Sequence, residues 1–171
     1  MDLTWDVFET PLGWMGAAAT SRALRRTTLP QASPERCVSL LGPDVDPSAR
    51  APERFAALVD ELSRYFTGAP ITFAEELIDV DDAPPFLRAA WKACQSIPLG
   101  ETRTYRWLAS QAGSPHASRA AGQSMARNRL PIIVPCHRVV ASDGSLGGFG
   151  RGATQLDLKR RLLRPEEGAR N

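Results

Sequence analysis

A Pro- and Asp-rich stretch, Asp81-Asp82-Ala83-Pro84-Pro85, divides the 171-residue chain into two parts of opposite charge. Residues 1–82 hold 7 Lys/Arg and 14 Asp/Glu, whereas residues 83–171 hold 14 Lys/Arg and 5 Asp/Glu. Consecutive prolines interrupt helices and central strands, so no single element is expected to cross this stretch. We therefore predict two domains, 1–82 and 83–171. The second is basic enough to meet a polyanion such as nucleic acid, although a solvated basic face is the alternative.

Short apolar pieces separated by turn residues predict an α+β domain before the junction. Apolar residues alternate with polar ones at 3–7, and further apolar pieces follow at 14–20 and 24–29. This pattern is typical of a small antiparallel sheet. The helical spacing of apolar residues over 55–66 predicts a helix, and the apolar residues of 71–73 predict a last strand.

The part after the junction is predicted to be mostly helical. An apolar stripe over 86–97 indicates an amphipathic helix, and Thr104 is suited to cap a second helix that runs to residue 112. Ser114 and Pro115 are then suited to begin a third helix, as its cap and first residue. Together these elements predict a helix-turn-helix. Its second helix is rich in small residues, which permit close approach to a partner helix or to a DNA groove.

The three cysteines, Cys37, Cys94 and Cys136, are odd in number and widely spaced. They predict neither a disulfide framework nor a zinc site, and they fit a reducing cytoplasm. Cys37 and Cys94 lie on amphipathic segments and are expected to be buried. The N-terminus lacks the basic and apolar regions of a signal peptide, and no stretch is long enough to span a membrane. We expect a cytoplasmic protein with no required metal.

The segment from Asn128 to Val140 combines apolar residues with reactive groups. Residues 132–134 and 139–140 are interpreted as buried strands, so Cys136, His137 and Arg138 must occupy the break between them. The thiolate is the nucleophilic form of a cysteine, and His137 is a candidate base for producing it. Because neighbours on a strand point to opposite faces, the break must be a turn or a water must bridge the two side chains. Three roles remain open for Arg138: it could stabilise a thiolate, bind phosphate or pair with an acid in the core.

The sequence Pro135-Cys136-His137-Arg138-Val139 resembles the signature of the O6-alkylguanine-DNA alkyltransferases, also called methylated-DNA-protein-cysteine methyltransferases. The resemblance runs from Phe86 to Leu163 and includes Ile97-Pro98-Leu99-Gly100-Glu101-Thr102, Thr104-Tyr105, Leu108-Ala109, Ser118-Arg119-Ala120-Ala121-Gly122, Asn128 and Lys159. It implies an α+β fold in which a small N-terminal sheet with helices has a ribonuclease H-like layout. A mostly helical C-terminal domain carries the helix-turn-helix.

The resemblance also implies how the reaction proceeds. Cys136 attacks the alkyl carbon on guanine O6, His137 acts as base through a water, and Glu166 supports the histidine. Asn128 braces the turn between recognition helix and active site. The spacing from the leucine pair Leu162-Leu163 favours Glu166 as this acid, although Glu167 offers a second acid. The transfer leaves a thioether on Cys136, and the sequence shows no second nucleophile or cofactor motif that could cleave it. Each molecule is therefore expected to repair one lesion without a cofactor.

The implied partner is double-stranded DNA that contains O6-alkylguanine, with O4-alkylthymine as a minor substrate. Arg119 resembles the finger that fills the base stack, and Tyr105 resembles the tyrosine that assists nucleotide rotation. The implied DNA contacts are Arg119, Tyr105, Thr104, Ser118, Ala120, Met125 and Arg127, and the implied substrate pocket is formed by Tyr105, Val139, Phe149 and Gly150. A monomer is expected.

The chain departs from the family pattern after the pocket aromatic, where Arg151 interrupts a glycine pair and residues 153–155 resemble an insertion. Three rival functions are open. A non-catalytic member of the same family would bind alkylated DNA, but such proteins lack the cysteine that Cys136 supplies. A cysteine hydrolase would turn over a soluble ester, and a helix-turn-helix regulator would bind one preferred sequence.

Overall fold

The computed structural model describes residues 2–146, 158–164 and 166. These residues form two compact units. The first comprises Met1–Ile71, Glu75–Val80 and Arg129–Pro131, and the second comprises Thr72–Ala74, Asp81–Asn128 and Ile132–Asn171. Within the described residues, no helix is long and apolar enough to cross a membrane.

The first unit is built on a three-stranded antiparallel sheet in the order β1-β2-β3, as the alternating pattern predicts. The strands are β1 (Thr4–Thr10), β2 (Gly13–Ala19) and β3 (Leu24–Thr27). Gly13 begins β2 with a φ of +132°, and a Cβ there would lie 2.8 Å from the carbonyl oxygen of Gln31. Both the backbone conformation and this close approach favour glycine at the start of the strand.

The first unit also holds two α-helices, α1 (Pro34–Leu41) and α2 (Ala56–Phe66), and two short 3-10 helices, Pro47–Ala49 and Pro52–Phe55. Ser33 caps α1 by accepting a hydrogen bond from the backbone N–H of Arg36, and Pro34 follows at the position where a missing N–H costs nothing. Cys37 and Leu41 lie on the inner face of α1 and pack in the core with β1 and β2. The predicted burial of Cys37 is thus confirmed.

The predicted strand at 71–73 is wrong. The described structure has no strand there, and the bridge that extends beside β3 instead joins Leu24 to Ile78. The carbonyl oxygen of Phe73 accepts a hydrogen bond from Nε2 of Gln95 at 3.1 Å. In a strand this carbonyl would accept a hydrogen bond from a neighbouring strand, whereas here it accepts one from the side chain of Gln95.

The second unit is mostly helical. Its three named helices are α3 (Pro85–Gln95), α4 (Tyr105–Gln111) and α5 (Ser118–Ala126), and a further helical stretch covers 158–164. The three named helices pack against one another, and the indole N–H of Trp91 in α3 donates to the carbonyl oxygen of Ser124 in α5 at 2.9 Å. A short parallel pair, β4 (Arg103–Thr104) and β5 (Val139–Val140), lies beside α4.

The ends of these helices show where local signals act. Thr104 accepts a hydrogen bond from the N–H of Trp107 and so caps α4, as predicted. The next helix begins at Ser118 rather than at Ser114 and Pro115, so that predicted start is wrong. The N–H of Ala117 instead bonds to the carbonyl oxygen of Ser114 at 2.9 Å, which closes a separate turn before the helix.

Candidate active site

The reactive segment is a turn. Cys136–Arg138 forms one turn of 3-10 helix that leads into β5, so His137 does not have to follow strand geometry. The predicted strand at 132–134 is wrong, because these residues form a turn with an isolated bridge at Val134. Nδ2 of Asn128 donates to the carbonyl oxygen of Val134 at 2.8 Å and fixes this approach to the cysteine.

Ile132, within the same turn, has a φ of +75°. A β-branched residue in the left-handed region is strained, at a cost of roughly 1–3 kcal/mol, and persists only where its surroundings determine the conformation. Ile132 is also buried. Ile132 is therefore held by its surroundings in a conformation that a β-branched residue disfavours.

His137 is completely buried and faces an acid. Its Nε2 atom lies 2.6 Å from Oε1 of Glu166, which is itself 1% exposed. Burial lowers the pKa of His137 below its usual value of 6.5, and the hydrogen bond and charge of Glu166 only partly oppose this effect. The imidazole is thus held neutral with one nitrogen engaged by the carboxylate, which is the state that a general base requires.

Arg138 pairs with the same acid, which settles among the three roles that the sequence leaves open. Its Nε and Nη2 atoms each lie 3.0 Å from an oxygen of Glu166, and Nη1 donates to the carbonyl oxygen of Ile97 at 2.8 Å. Burial opposes ionisation of Glu166, but the hydrogen bonds from His137 and Arg138, together with the charge of Arg138, outweigh it. They lower the pKa of this carboxyl to about 2. Arg138 therefore keeps Glu166 ionised and fixed in position.

Cys136 is buried, and burial raises the pKa of its thiol above the usual value of 9.0. A hydrogen bond from Asn128 and the charge of Lys159 partly oppose this effect. The resting cysteine is therefore a neutral thiol at physiological pH, and it needs a base to become a nucleophile. The neutral imidazole of the adjacent His137 is the base that the sequence supplies.

Lys159 is a site residue to which the sequence analysis assigned no role. It is fully buried, and its Nζ atom donates to the carbonyl oxygen of Val139 at 2.6 Å and to that of Leu146. The ammonium also lies 5.9 Å from the centroid of the Tyr105 ring. Burial lowers its pKa to about 8, and the negative charge of a thiolate at Cys136 acts in the opposite direction. No local pattern marks a lysine for burial, so only the fold could reveal this contact.

An open pocket lies beside α4 and α5. Tyr105 stands at the start of α4, and Arg119 is exposed on the first turn of α5. Burial raises the pKa of Tyr105 to about 12, so its hydroxyl stays protonated and can donate a hydrogen bond. The lining residues are Tyr105, Arg106, Ser118, Arg119, Gly122, Gln123, Ala126, Ala141 and Ser142.

The structure brings only some of the predicted DNA contacts to this pocket. Ser118 lines it with Tyr105 and Arg119, whereas Thr104 is engaged in capping α4. The other three predicted contacts, on α5 or just after it, lie elsewhere: Ala120 is half-buried, Arg127 is exposed, and Met125 is 5% exposed and faces the core. Met125 therefore does not share the surface of Arg119.

Of the predicted substrate pocket, Val139 is fully buried and its backbone carbonyl holds Lys159. Phe149, Gly150, Arg151, Glu167 and the stretch 153–155 lie outside the described residues. Among the residues that the structure does describe, no group of three or more His, Cys, Asp or Glu side chains could hold a metal ion.

Comparison with known proteins defines the class. Residues 85–168 match the family described as 6-O-methylguanine DNA methyltransferase, DNA binding domain. A methylated-DNA--protein-cysteine methyltransferase of Mycolicibacterium paratuberculosis is 45% identical over 112 residues, which cover 66% of this chain and 65% of that protein, just under two thirds. One from Methanosarcina acetivorans is 34% identical over 160 residues, which cover 94% of this chain and 96% of that protein.

The fold is shared as well. The crystal structure of Mycobacterium tuberculosis OGT in complex with DNA matches with a TM-score of 0.77 and 33% identity, covering 97% of this chain and 94% of that one. The chain therefore belongs to the methylated-DNA--protein-cysteine methyltransferase family. The resemblance predicted from the sequence is confirmed, and so is the mixed α+β fold.

Proposed function

We infer that this protein repairs alkylated DNA by moving an alkyl group from O6 of guanine onto Sγ of its own Cys136. The observation that carries this proposal is the buried pairing of His137 with Glu166 at 2.6 Å, one residue after a buried thiol. Homologues named for this activity, and a structural neighbour solved with DNA, support it.

The reaction follows from the states of these groups. His137 takes the proton of the Cys136 thiol, directly or through a water, and Glu166 stabilises the imidazolium that forms. The thiolate then bonds to the alkyl carbon, and the bond between that carbon and O6 breaks. The electron pair leaves with guanine, and the base takes up one proton, which balances the proton that His137 removed from the thiol and later releases. The product thioether is stable, so each molecule acts once and needs no cofactor.

Reaching the buried thiol requires the damaged nucleotide to leave the duplex, at a cost of a few kcal/mol. We assign α4 and α5, joined by residues 112–117, to a helix-turn-helix whose second helix meets the minor groove. The exposure of Arg119 beside the pocket supports its role in filling the vacated stack. Tyr105, protonated at physiological pH, donates to the extruded base.

The remaining assignments follow from the same family likeness. We assign residues 1–82 to a domain of ribonuclease H-like layout, supported by the antiparallel sheet and its two helices. Residues 83–171 form the DNA-binding and alkyl-transfer domain, in which Phe149 and Gly150 complete the substrate pocket. The protein acts as a cytoplasmic monomer on double-stranded DNA.

Intact-mass measurement tests the proposal. Reduced protein mixed with a duplex containing O6-methylguanine should gain one methyl group, and transfer should stop at one per molecule even with excess DNA. Cys136→Ala should gain nothing, while Cys37→Ala, which also removes a buried thiol, should be methylated as in the wild type. No gain by the wild-type protein, or continued turnover, contradicts the proposal.

A further inference from the structure

Helix α5 presents Gln123 to the open pocket in addition to Ser118 and Arg119. Gln123 follows Arg119 by four residues, so the two lie on the same face of the helix, and both are exposed and line the pocket. Within the described part of the chain, neither side chain takes part in a hydrogen bond or an ion pair. The small residues Gly122 and Ala126 flank Gln123 on the same pocket wall and leave its carboxamide accessible.

A carboxamide can read one feature of the minor groove. Purine N3 and pyrimidine O2 accept hydrogen bonds at every base pair, whereas only guanine adds a donor, the amino group at N2. The Nε2 atom of a glutamine can donate to N3 of guanine while Oε1 accepts from N2, which gives two hydrogen bonds. At an A·T pair the same side chain finds acceptors alone.

The spacing along α5 places the side chain of Gln123 near the lesion. Four residues of helix span about 6 Å, and successive base pairs are about 3.4 Å apart. If Arg119 fills the stack at the extruded guanine, Gln123 lies one or two base pairs away. This step rests on the proposed function, in which α5 meets the minor groove.

We propose that Gln123 makes repair by this protein depend on sequence context, favouring a lesion that has a G·C pair one or two steps away on the side reached by Gln123. The discriminating contact is the N2 amino group of that guanine. One net hydrogen bond changes a rate or binding constant by roughly 2- to 10-fold, which is the size of preference expected.

Rates of methyl transfer under single-turnover conditions, with protein below saturation, test this inference. The duplexes carry O6-methylguanine with a guanine or an inosine, each opposite cytosine, at one of the flanking positions. Inosine lacks only the N2 amino group, but it also weakens pairing in the duplex. The measured quantity is therefore the guanine-to-inosine rate ratio of each variant relative to that of the wild type.

We expect the ratio to fall by roughly 2- to 10-fold in Gln123→Ala at one flanking position. Gln123→Met, which keeps the length of the side chain and the helix propensity, should give the same loss and separates it from a folding defect. Gln111→Ala removes an exposed glutamine from α4 outside the pocket and should keep the wild-type ratio. Equal ratios in wild type and Gln123→Met at every flanking position overturn the inference. Absence of transfer from every duplex overturns the proposed function instead.

Discussion

Replacing Glu166 by glutamine removes the negative charge shared by His137 and Arg138 while keeping the size of the side chain. The carboxylate has three hydrogen-bonded contacts of 2.6, 3.0 and 3.0 Å, all buried. These contacts lower its pKa from 4.5 to about 2. At about 1.4 kcal/mol for each pH unit, ionised Glu166 stabilises the folded state by about 3 kcal/mol. Glu166→Gln should therefore lower the free energy of unfolding near neutral pH by about that amount.

The pH dependence gives the sign of this effect. A carboxyl whose pKa is lower in the folded state contributes its full stability above its unfolded pKa, here 4.5, and loses it as the pH falls toward about 2. Urea unfolding of wild type and Glu166→Gln should therefore differ by about 3 kcal/mol near pH 7, and this difference should shrink through that window. Glu101→Gln, which removes a half-exposed partner of Arg103, should cost less than about 1 kcal/mol.

Activity should fall as well, because the imidazolium of His137 loses the charge that stabilises it. General-base catalysis contributes about 10²- to 10⁴-fold to rates. We expect single-turnover methyl transfer by Glu166→Gln to be at least about tenfold slower at neutral pH. A variant that transfers methyl groups at the wild-type rate, or a stability difference that is the same at pH 7 and pH 3, would refute the reasoning.

Three further perturbations test the surroundings of the thiol. Arg138→Lys keeps the charge, but a lysine cannot contact both oxygens of Glu166 and the carbonyl of Ile97 at once. Methyl transfer should therefore slow, and its pH profile should shift. An unchanged profile would argue against a positioning role for Arg138. Lys159→Met leaves the carbonyl of Val139 without its donor and should cost about 1–3 kcal/mol in chemical unfolding; no loss would contradict the buried contact. Arg119→Ala should slow repair in duplex DNA more than transfer from free O6-alkylguanine, and equal slowing would remove its role in the base stack.

Local signals predicted most elements correctly. Alternation over 3–7 predicted β1, and the hydroxyl of Thr104 predicted the start of α4, because both signals act within a few residues of the chain. The strands predicted at 71–73 and 132–134 are absent from the described structure, and the two segments share one feature. Side chains from elsewhere, Gln95 and Asn128, hydrogen-bond to backbone carbonyls in these two segments. Apolar composition cannot reveal such contacts.

The sequence was enough to predict the reactive residues of the site, but not the contacts that hold them in position. Cys136 and His137 are adjacent, so the sequence displays them together. Arg138 is buried against Glu166, which lies 28 residues further along the chain, and no local pattern links the two. Lys159 illustrates the same limit, since a lysine is ordinarily exposed and only tertiary contacts identify a buried one.

The burial that encloses the thiol also sets the character of the reaction. It raises the pKa of Cys136 and lowers that of His137, so the proton on the thiol favours the sulfur at rest. Such an arrangement would suit a fast catalyst poorly, because little thiolate is present at any moment. In the proposed alkyl transfer, however, the thiolate ends in a stable thioether, so an unfavourable proton transfer slows repair without reducing its extent. Under the proposed function the protein acts once, so it can keep its nucleophile neutral, and thereby less reactive toward other electrophiles, until a substrate reaches the site.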